Sequence, residues 1–178
     1  MLSCVTPSYG CNGGYLNLGI DYFATSPVDK DYLWPYTSSL GTCNTANIAS
    51  ATSGNAVQSI SGSVPFTPND DNALKAAVLA APTGILMMVD SSFQNCRGGV
   101  YTSTTCNTAV NHGMLLVGLD VDATTGQWYW LVKNSWGTGW GESGYVRIKV
   151  MGASGPGMCG MYQFPVGTPT TFSSTPLS

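Results

Sequence analysis

The order of helical and extended patterns along the 178-residue chain predicts an α+β fold. Helical patterns come early in the sequence, and β-branched or aromatic runs dominate its second half. Because helices and strands are segregated, the pattern is not that of an alternating α/β fold. The apolar fraction of 43% and the length are sufficient for one domain with a buried core.

Two helices are predicted from apolar residues that recur at helical spacing. The first covers 16–25, and its shared face consists of Leu16, Ile20 and Phe23. The second begins near Asn69 and ends before Pro82. Asp70 and Asp71 lie in its first turn, where carboxylates favour the positive end of the helix dipole. Its apolar stripe consists of Leu74, Ala77, Val78 and Ala81.

Four runs rich in β-branched and aromatic residues are predicted as strands, because Gly, Asp or Thr turns separate them. These runs are 84–89, 110–119, 127–133 and 145–150. Residues 120–126 are predicted to form the turn of an antiparallel hairpin between two of them. The Thr/Ser/Pro-rich residues after 166 are expected to fray.

Composition excludes several classes of partner. Charged residues make up 8% of the chain, against about 25% in a typical protein. Six scattered cations and a net charge of −3 give no basic patch, so nucleic acid is not an expected partner. The longest apolar stretches, 85–89 and 114–119, are too short to span a bilayer.

The six cysteines form no C-x-x-C pair, which argues against a zinc ribbon or a thioredoxin-like redox site. Disulfides formed in an oxidising compartment are the better interpretation. The first residues nevertheless lack the basic and apolar regions of a secretory signal. This conflict leads us to expect that part of the natural N-terminus is missing.

The single histidine, His112, lies in a predicted buried strand, where a core role and a catalytic role are both open. The segment 133–145 contains two Trp and four Gly within ten residues. It is either a tight aromatic-packed turn or a wall that shields a polar site. In the second case Asn134, at the end of the partner strand, could accept a hydrogen bond from one imidazole nitrogen. The other nitrogen would then face a nucleophile.

The chain resembles papain-like cysteine peptidases of the papain and cathepsin L group. Six segments carry this resemblance in the family's order: Ser-Tyr-Gly-Cys-Asn-Gly-Gly-Tyr at 8–15, Trp-Pro-Tyr at 34–36, Phe93 with Arg-Gly-Gly-Val-Tyr at 97–101, Val-Asn-His-Gly at 110–113, Lys-Asn-Ser-Trp-Gly-Thr-Gly-Trp-Gly-Glu-Ser-Gly-Tyr at 133–145, and Cys-Gly-Met-Tyr at 159–162.

The resemblance implies that His112 is the catalytic imidazole, that Asn134 orients it and that Trp136 covers their hydrogen bond. In the family, the imidazolium pairs with a thiolate that attacks a peptide carbonyl. The positions implied to bind substrate are Gly13, Gly14, Tyr15, Leu16, Leu86, Val110, Asn111, Gly113, Trp140 and Phe164. Several of them line the pocket for the side chain two residues before the scissile bond. They are uncharged, so peptides or proteins with an apolar side chain there are the implied substrates.

The family's nucleophilic cysteine precedes its histidine by about 130–150 residues, which exceeds the distance available before His112. None of the six cysteines has the surrounding sequence of that nucleophile. We therefore expect a truncated chain that is inactive alone and whose partner is the missing N-terminal segment of its own fold. The resemblance implies disulfides Cys4–Cys43 and Cys106–Cys159. It leaves Cys11 without its upstream partner and Cys96 as a small buried hydrophobe, with a Cys11–Cys96 bridge as the alternative.

By resemblance, residues 1–55 are the remainder of a helical subdomain, and 56–165 form an antiparallel β-barrel subdomain. Residues 166–178 are a flexible tail. The implied location is lysosomal, vacuolar or secreted, although the chain shows no signal peptide. No metal or cofactor is expected. Two alternatives to a peptidase remain: a non-catalytic remnant that binds peptides or a protein partner, and a secreted β-rich structural or adhesive domain.

Overall fold

The structure is a computed structural model that describes residues 2–26, 28–29, 35–43, 56–57, 62–152, 154–164, 166 and 168–169. Three parts of the sequence predictions lie outside the described residues. They are Trp34 of the aromatic triplet, most residues around the predicted subdomain boundary at 55, and residues 167 and 170–178 of the predicted tail. The chain divides into two compact units, 1–63 with 169–178 and 64–168. The subdomain boundaries expected from the sequence stay predictions.

The described part of the first unit contains a 3-10 helix, Gly10–Asn12, and helix α1, Leu16–Thr25. The bounds of α1 confirm the prediction over 16–25. Strands β1 (Val28–Asp29) and β2 (Ala56–Val57) pair antiparallel. A disulfide joins Cys4 to Cys43.

The second unit is built on one five-stranded sheet. The remaining strands among the described residues are β3 (Ser63–Val64), β4 (Thr83–Met87), β5 (Val100–Tyr101), β6 (His112–Val121), β7 (Trp128–Lys133), β8 (Tyr145–Lys149) and β9 (Thr168–Pro169). The sheet order is β4-β6-β7-β8-β5, and every neighbour is antiparallel except the β5–β8 pair. The α+β class is confirmed.

Helix α2, Asp71–Ala80, contacts strand β6. The Asp70 carboxylate caps it by accepting from the backbone amides of Asn72 at 2.9 Å and Ala73 at 3.2 Å. Leu74 and Val78 are buried, as the apolar stripe predicts. The largest fully buried side chains of the core include Trp130, Tyr162, Phe93, Leu74, Ile85, Met87, Leu116 and Ile148.

The strand predicted over 110–119 is shifted in the structure to His112–Val121. It begins later because the side chain of Asn111, the residue before the strand, hydrogen-bonds to the Val89 backbone. It ends later because Asp120 and Val121 still pair with Tyr129 and Trp128. The predicted hairpin turn is confirmed beyond Val121, where the Gly126 amide donates to the Asp122 carbonyl at 2.8 Å.

Several short elements were not predicted: the 3-10 helices Gly10–Asn12 and Met158–Gly160, the two-residue strands β1, β2, β3, β5 and β9, and one further short helix. Strand β9 lies in the tail that is expected to fray. Helix α3, Ser91–Gln94, is capped by Asp90, whose carboxylate accepts from the Phe93 amide at 3.1 Å. Strand β5 contains only two residues. Elements this short offer no recurring pattern, so periodicity could not detect them.

The buried side chains of Trp130 and Tyr162 are joined by a hydrogen bond that we expect to stabilise the second unit. Trp130 Nε1 donates to the Tyr162 hydroxyl at 2.8 Å, and neither side chain is exposed. Burial raises the pKa of the Tyr162 hydroxyl. Tyr162→Phe leaves a buried indole N–H without its acceptor, so we expect the free energy of unfolding to fall by about 1–3 kcal/mol. Urea denaturation checks this value, and Tyr129→Phe is the control with an expected change within about 0.5 kcal/mol.

An ion cluster around Arg147 joins β8 to three other segments of the second unit. Arg147 on β8 makes a two-pronged contact with Glu142: Nε donates to Oε2 at 2.9 Å and Nη2 to Oε1 at 2.6 Å. Its Nη1 donates to Oδ2 of Asp122 in the hairpin turn at 2.5 Å. The amide of Gly99 also donates to Glu142 Oε1 at 2.9 Å. The guanidinium lies 5.4 Å from the centre of the Tyr129 ring.

Acid is expected to weaken this cluster. Hydrogen bonds from Arg147 hold the pKa of Glu142 below its ordinary value, against the opposing effect of burial. A lowered folded-state pKa stabilises the protein fully above the ordinary glutamate value of about 4.3, and the gain is lost as pH falls through the folded pKa. Since a third of this side chain is exposed, the loss is about 1 kcal/mol or less. Urea denaturation at pH 6 and pH 3 should show a smaller acid loss for Glu142→Gln than for the unaltered chain; equal losses would contradict this assignment.

Candidate active site

His112 and Asn134 meet at one end of the β6–β7 hairpin. His112 is the first residue of β6, and Asn134 directly follows β7. Leu115 pairs with Lys133, the last residue of β7, so His112 and Asn134 both lie at the open end of the hairpin. His112 Nε2 and Asn134 Oδ1 are 2.9 Å apart. His112 is half-buried and Asn134 is 8% exposed.

The contacts of Asn134 determine which imidazole nitrogen carries the proton. Its Oδ1 also accepts from the backbone amide of Ser135 at 2.8 Å. A backbone N–H can only donate, so the side-chain atom that it reaches is the amide oxygen. His112 Nε2 must then donate to that oxygen. In the neutral imidazole, Nδ1 is left as an unprotonated base.

Aromatic rings cover one side of the His–Asn pair. The Trp136 ring lies 4.9 Å from the His112 ring, with 33° between the planes. Trp136 also makes edge contacts with Phe93 at 5.9 Å and Trp140 at 5.1 Å. Trp136 itself is 37% exposed. Its contact with His112 matches the expected neighbourhood, and its role as a shield from water stays a prediction.

Trp140 anchors the aromatic segment to helix α3. Its indole Nε1 donates to the Gln94 carbonyl at 2.9 Å, and its ring lies 5.2 Å from that of Phe93. It is 8% exposed. These contacts are those of a packing residue, and the substrate contact implied for Trp140 stays a prediction.

Asn111 fixes the chain immediately before His112. Its Oδ1 accepts from the Val89 amide at 2.8 Å, and its Nδ2 donates to the Val89 carbonyl at 3.0 Å. The Asn111 amide also donates to the Met87 carbonyl at 3.2 Å. The side chain therefore joins the entrance of β6 to the segment after β4. The resemblance implies that Asn111 binds substrate, and the sequence contains no signal for this backbone contact.

The remaining site candidates of the second unit lie at different depths. Leu86 pairs with Gly113 in the sheet, one position from the Met87–His112 pair, and both are half-buried. Val110 is also half-buried, and Phe164 is 45% exposed. Leu86 and Gly113 are thus next to the imidazole in the sheet register, while the pocket position of Phe164 stays a prediction.

Four candidates belong to the first unit. Gly13, Gly14, Tyr15 and Leu16 follow its 3-10 helix and lead into α1. A Cβ on Gly14 would lie 2.7 Å from the Ser8 hydroxyl oxygen, so this position requires glycine. Tyr15 is 57% exposed. Their expected contact with substrate stays a prediction.

The cysteines pair as the resemblance implies: Cys4 with Cys43 and Cys106 with Cys159. Cys11 is free and exposed, and Cys96 is free and packed against the core. In the part of the chain that the structure describes, no cluster of His, Cys, Asp and Glu could hold a metal ion. No helix of that part is long and apolar enough to cross a membrane.

Comparisons with known proteins place this geometry in a family. The family model described as "Papain family cysteine protease" matches residues 1–168. Fruit bromelain from Ananas comosus is 34% identical over 167 residues, which cover 93% of this chain and 45% of that protein. Macrodontain-1 from Ananas macrodontes is 34% identical over 93% of this chain and 73% of that protein. The chain spans less than half the length of the first curated relatives that it matches.

Solved structures agree with the sequence comparisons. A recombinant stem bromelain precursor superposes with a TM-score of 0.84 at 29% identity, covering 96% of this chain and 54% of that one. The bromelain protease from Ananas comosus in complex with the E64 inhibitor gives a TM-score of 0.80 at 30% identity, covering 92% and 72%. The fold is papain-like, and the chain belongs to the papain family of cysteine proteases.

Proposed function

We propose that this chain provides the imidazole and amide half of a cysteine peptidase site, with His112 as general base and Asn134 as its orienting partner. The observation that carries the proposal is the 2.9 Å contact between His112 Nε2 and Asn134 Oδ1. It leaves Nδ1 free to take a thiol proton. A non-catalytic peptide-binding remnant, or a structural domain, has no chemical need for this arrangement.

The nucleophilic thiol is proposed to come from outside the 178 residues, and the chain alone to be inactive. Four of its six cysteines are in disulfides. Cys11 and Cys96 stand neither at the family's spacing from His112 nor in the family's sequence context. The partner of this chain is accordingly the segment of its own fold that carries the nucleophile.

In the proposed reaction, His112 takes up and gives back one proton during formation of the thioester and one during its hydrolysis. Nδ1 takes the thiol proton, and the thiolate sulfur bonds to the peptide carbonyl carbon. The imidazolium then protonates the amine as the C–N bond breaks, leaving a thioester. Nδ1 next removes a proton from water, which attacks the thioester. The sulfur leaves and is reprotonated, releasing the carboxylic acid. Throughout, Asn134 accepts from Nε2 and keeps the ring oriented.

Labelling with a peptidyl epoxide, followed by peptide mass spectrometry, tests where the nucleophile is. In the 178-residue chain, Cys11 and Cys96 should react at the same rate in the unaltered protein and in His112→Ala. In a polypeptide that also carries the nucleophile, one further cysteine should react only when His112 is present. Rapid, His112-dependent alkylation of Cys11 or Cys96 would overturn the proposal that this chain lacks its nucleophile.

The proposed substrates are peptides and proteins with an apolar side chain two residues before the scissile bond. Support comes from three uncharged candidates, Leu86, Val110 and Gly113: two of them lie within two residues of His112 in the sequence, and Leu86 pairs with Gly113 in the sheet. The two disulfides favour an oxidising compartment, lysosomal, vacuolar or secreted. Hydrolysis of matched peptides with Phe or Arg at that position tests the preference; faster cleavage of the Arg peptide would contradict it.

A further inference from the structure

The segment between Asn134 and Tyr145 ends in a turn that is held under backbone strain. Gly141, Ser143 and Gly144 have φ values of +56°, +56° and +91°. A Cβ on Gly141 would lie 2.4 Å from the Tyr145 carbonyl oxygen, so only glycine fits. Ser143 has a side chain and still adopts the left-handed region, which is unfavourable for a residue other than glycine. Such a turn persists only when surrounding contacts hold it.

The Glu142 side chain supplies contacts of that kind from within the turn. Its carboxylate accepts two hydrogen bonds from the Arg147 guanidinium and one from the Gly99 backbone amide. Charge-assisted two-pronged contacts fix orientation as well as distance. The Glu142 and Tyr145 backbones also bond to each other in both directions, at 2.8 and 3.1 Å.

A short series of hydrogen bonds connects this turn to the imidazole. The Gly144 amide donates to the Trp140 carbonyl at 2.8 Å, and the Gly144 carbonyl accepts from the Asn134 amide at 2.9 Å. The side chain of Asn134 in turn accepts from His112. The position of Gly144 therefore sets the backbone from which the orienting amide extends.

We propose that Glu142 and Arg147 are positioning residues for the His112–Asn134 pair, acting through the turn at Gly144. This inference rests on the proposed function, because it assigns the ion pair a role in keeping the general base oriented. It adds two residues, which touch neither the imidazole nor the substrate-binding candidates, to the parts on which the site depends.

The cluster contains its own matched control. Asp122 bonds to the same guanidinium but lies in the β6–β7 turn, outside the segment 134–145. Glu142→Gln and Asp122→Asn each remove one negative charge beside Arg147 and change size very little. If the ion pair positions Asn134, Glu142→Gln should loosen the Asn134 backbone and Asp122→Asn should not. If the effect is general electrostatics, the two variants should have similar effects.

Hydrogen exchange and ¹⁵N NMR on the 178-residue chain separate these cases. In Glu142→Gln we expect exchange of the Asn134 backbone amide to accelerate at least about tenfold through local opening, and the Nε2–H signal of His112 to broaden. Asp122→Asn should leave both within about twofold of the unaltered chain. Arg147→Lys keeps the positive charge but loses the paired hydrogen bonds to Glu142. It should therefore accelerate exchange of the Asn134 backbone amide to an intermediate extent.

Equal effects of Glu142→Gln and Asp122→Asn, or no effect of Glu142→Gln, would overturn the proposal. The free energy of unfolding, measured on the same samples, shows whether exchange changes through local opening or through global destabilisation. If the loss in free energy of unfolding fully explains the faster exchange of the Asn134 amide, the proposal is also overturned. None of these measurements uses hydrolysis, so a negative peptidase assay would count against the proposed function without deciding this inference.

Discussion

Replacing His112 by alanine is expected to lower kcat/KM for peptide hydrolysis at least about 1,000-fold, in a polypeptide where this chain works with its nucleophilic cysteine. The reason is that the thiol loses the base that takes its proton and the amine loses the acid that protonates it. His112 is the only histidine of the 178 residues, so no other imidazole of this chain can substitute for it. Steady-state kinetics on matched preparations measure the change.

Two controls make this result specific. His112 is half-buried at a strand end, so its replacement should leave the free energy of unfolding within about 1 kcal/mol. Asn134→Ala keeps the base and loses its orientation, and it should therefore reduce kcat/KM by less than His112→Ala. Activity of His112→Ala within tenfold of the unaltered protein, at equal stability, would contradict the assigned role.

Removing the Cys106–Cys159 disulfide is expected to destabilise the second unit by about 4 kcal/mol, the chain-entropy value for a loop of this size. The two residues are 53 positions apart in the sequence, and Cys159 is 3% exposed. The Cys159 carbonyl also accepts from the Met88 amide at 2.9 Å. The disulfide thus joins the segment after β5 to residue 159, and the hydrogen bond joins residue 159 to the segment after β4.

The double variant Cys106→Ala/Cys159→Ala, unfolded in urea and followed by tryptophan fluorescence, measures this contribution. Cys96→Ala is the control, because it removes a free thiol packed against the same core and closes no loop. We expect it to cost about 1 kcal/mol. A double variant that loses less than 1 kcal/mol would show that the loop closure contributes little.

The sequence predicted the elements that have a long and regular pattern. Helix α1, the capped helix α2 and the β6–β7 hairpin follow from apolar spacing, an acidic first turn and a polar turn between strands. These features are local, or depend on one strand pair, so the sequence order carries them. The contact between Asn134 and His112 is one of two interpretations that the sequence pattern leaves open, and the resemblance to the family favours it.

Other features of the site depend on contacts between distant segments. The Asn111 side chain bonds to the Val89 backbone, and Glu142 makes paired hydrogen bonds with Arg147. No sequence motif specifies the partner in either contact. The cysteine pairs could be assigned only by resemblance, because six cysteines allow many connectivities. Tertiary packing, rather than propensity, determines all three.

The most direct test of the central claim is ¹⁵N NMR of the imidazole, whose signals are unambiguous because the chain has one histidine. At a pH where His112 is neutral, the account predicts a protonated Nε2 and an unprotonated Nδ1, since Asn134 Oδ1 can only accept. Asn134→Ala should convert this single form into a mixture of tautomers. A proton found on Nδ1 in the unaltered chain would contradict the account, because the nitrogen that must receive the thiol proton would already be occupied.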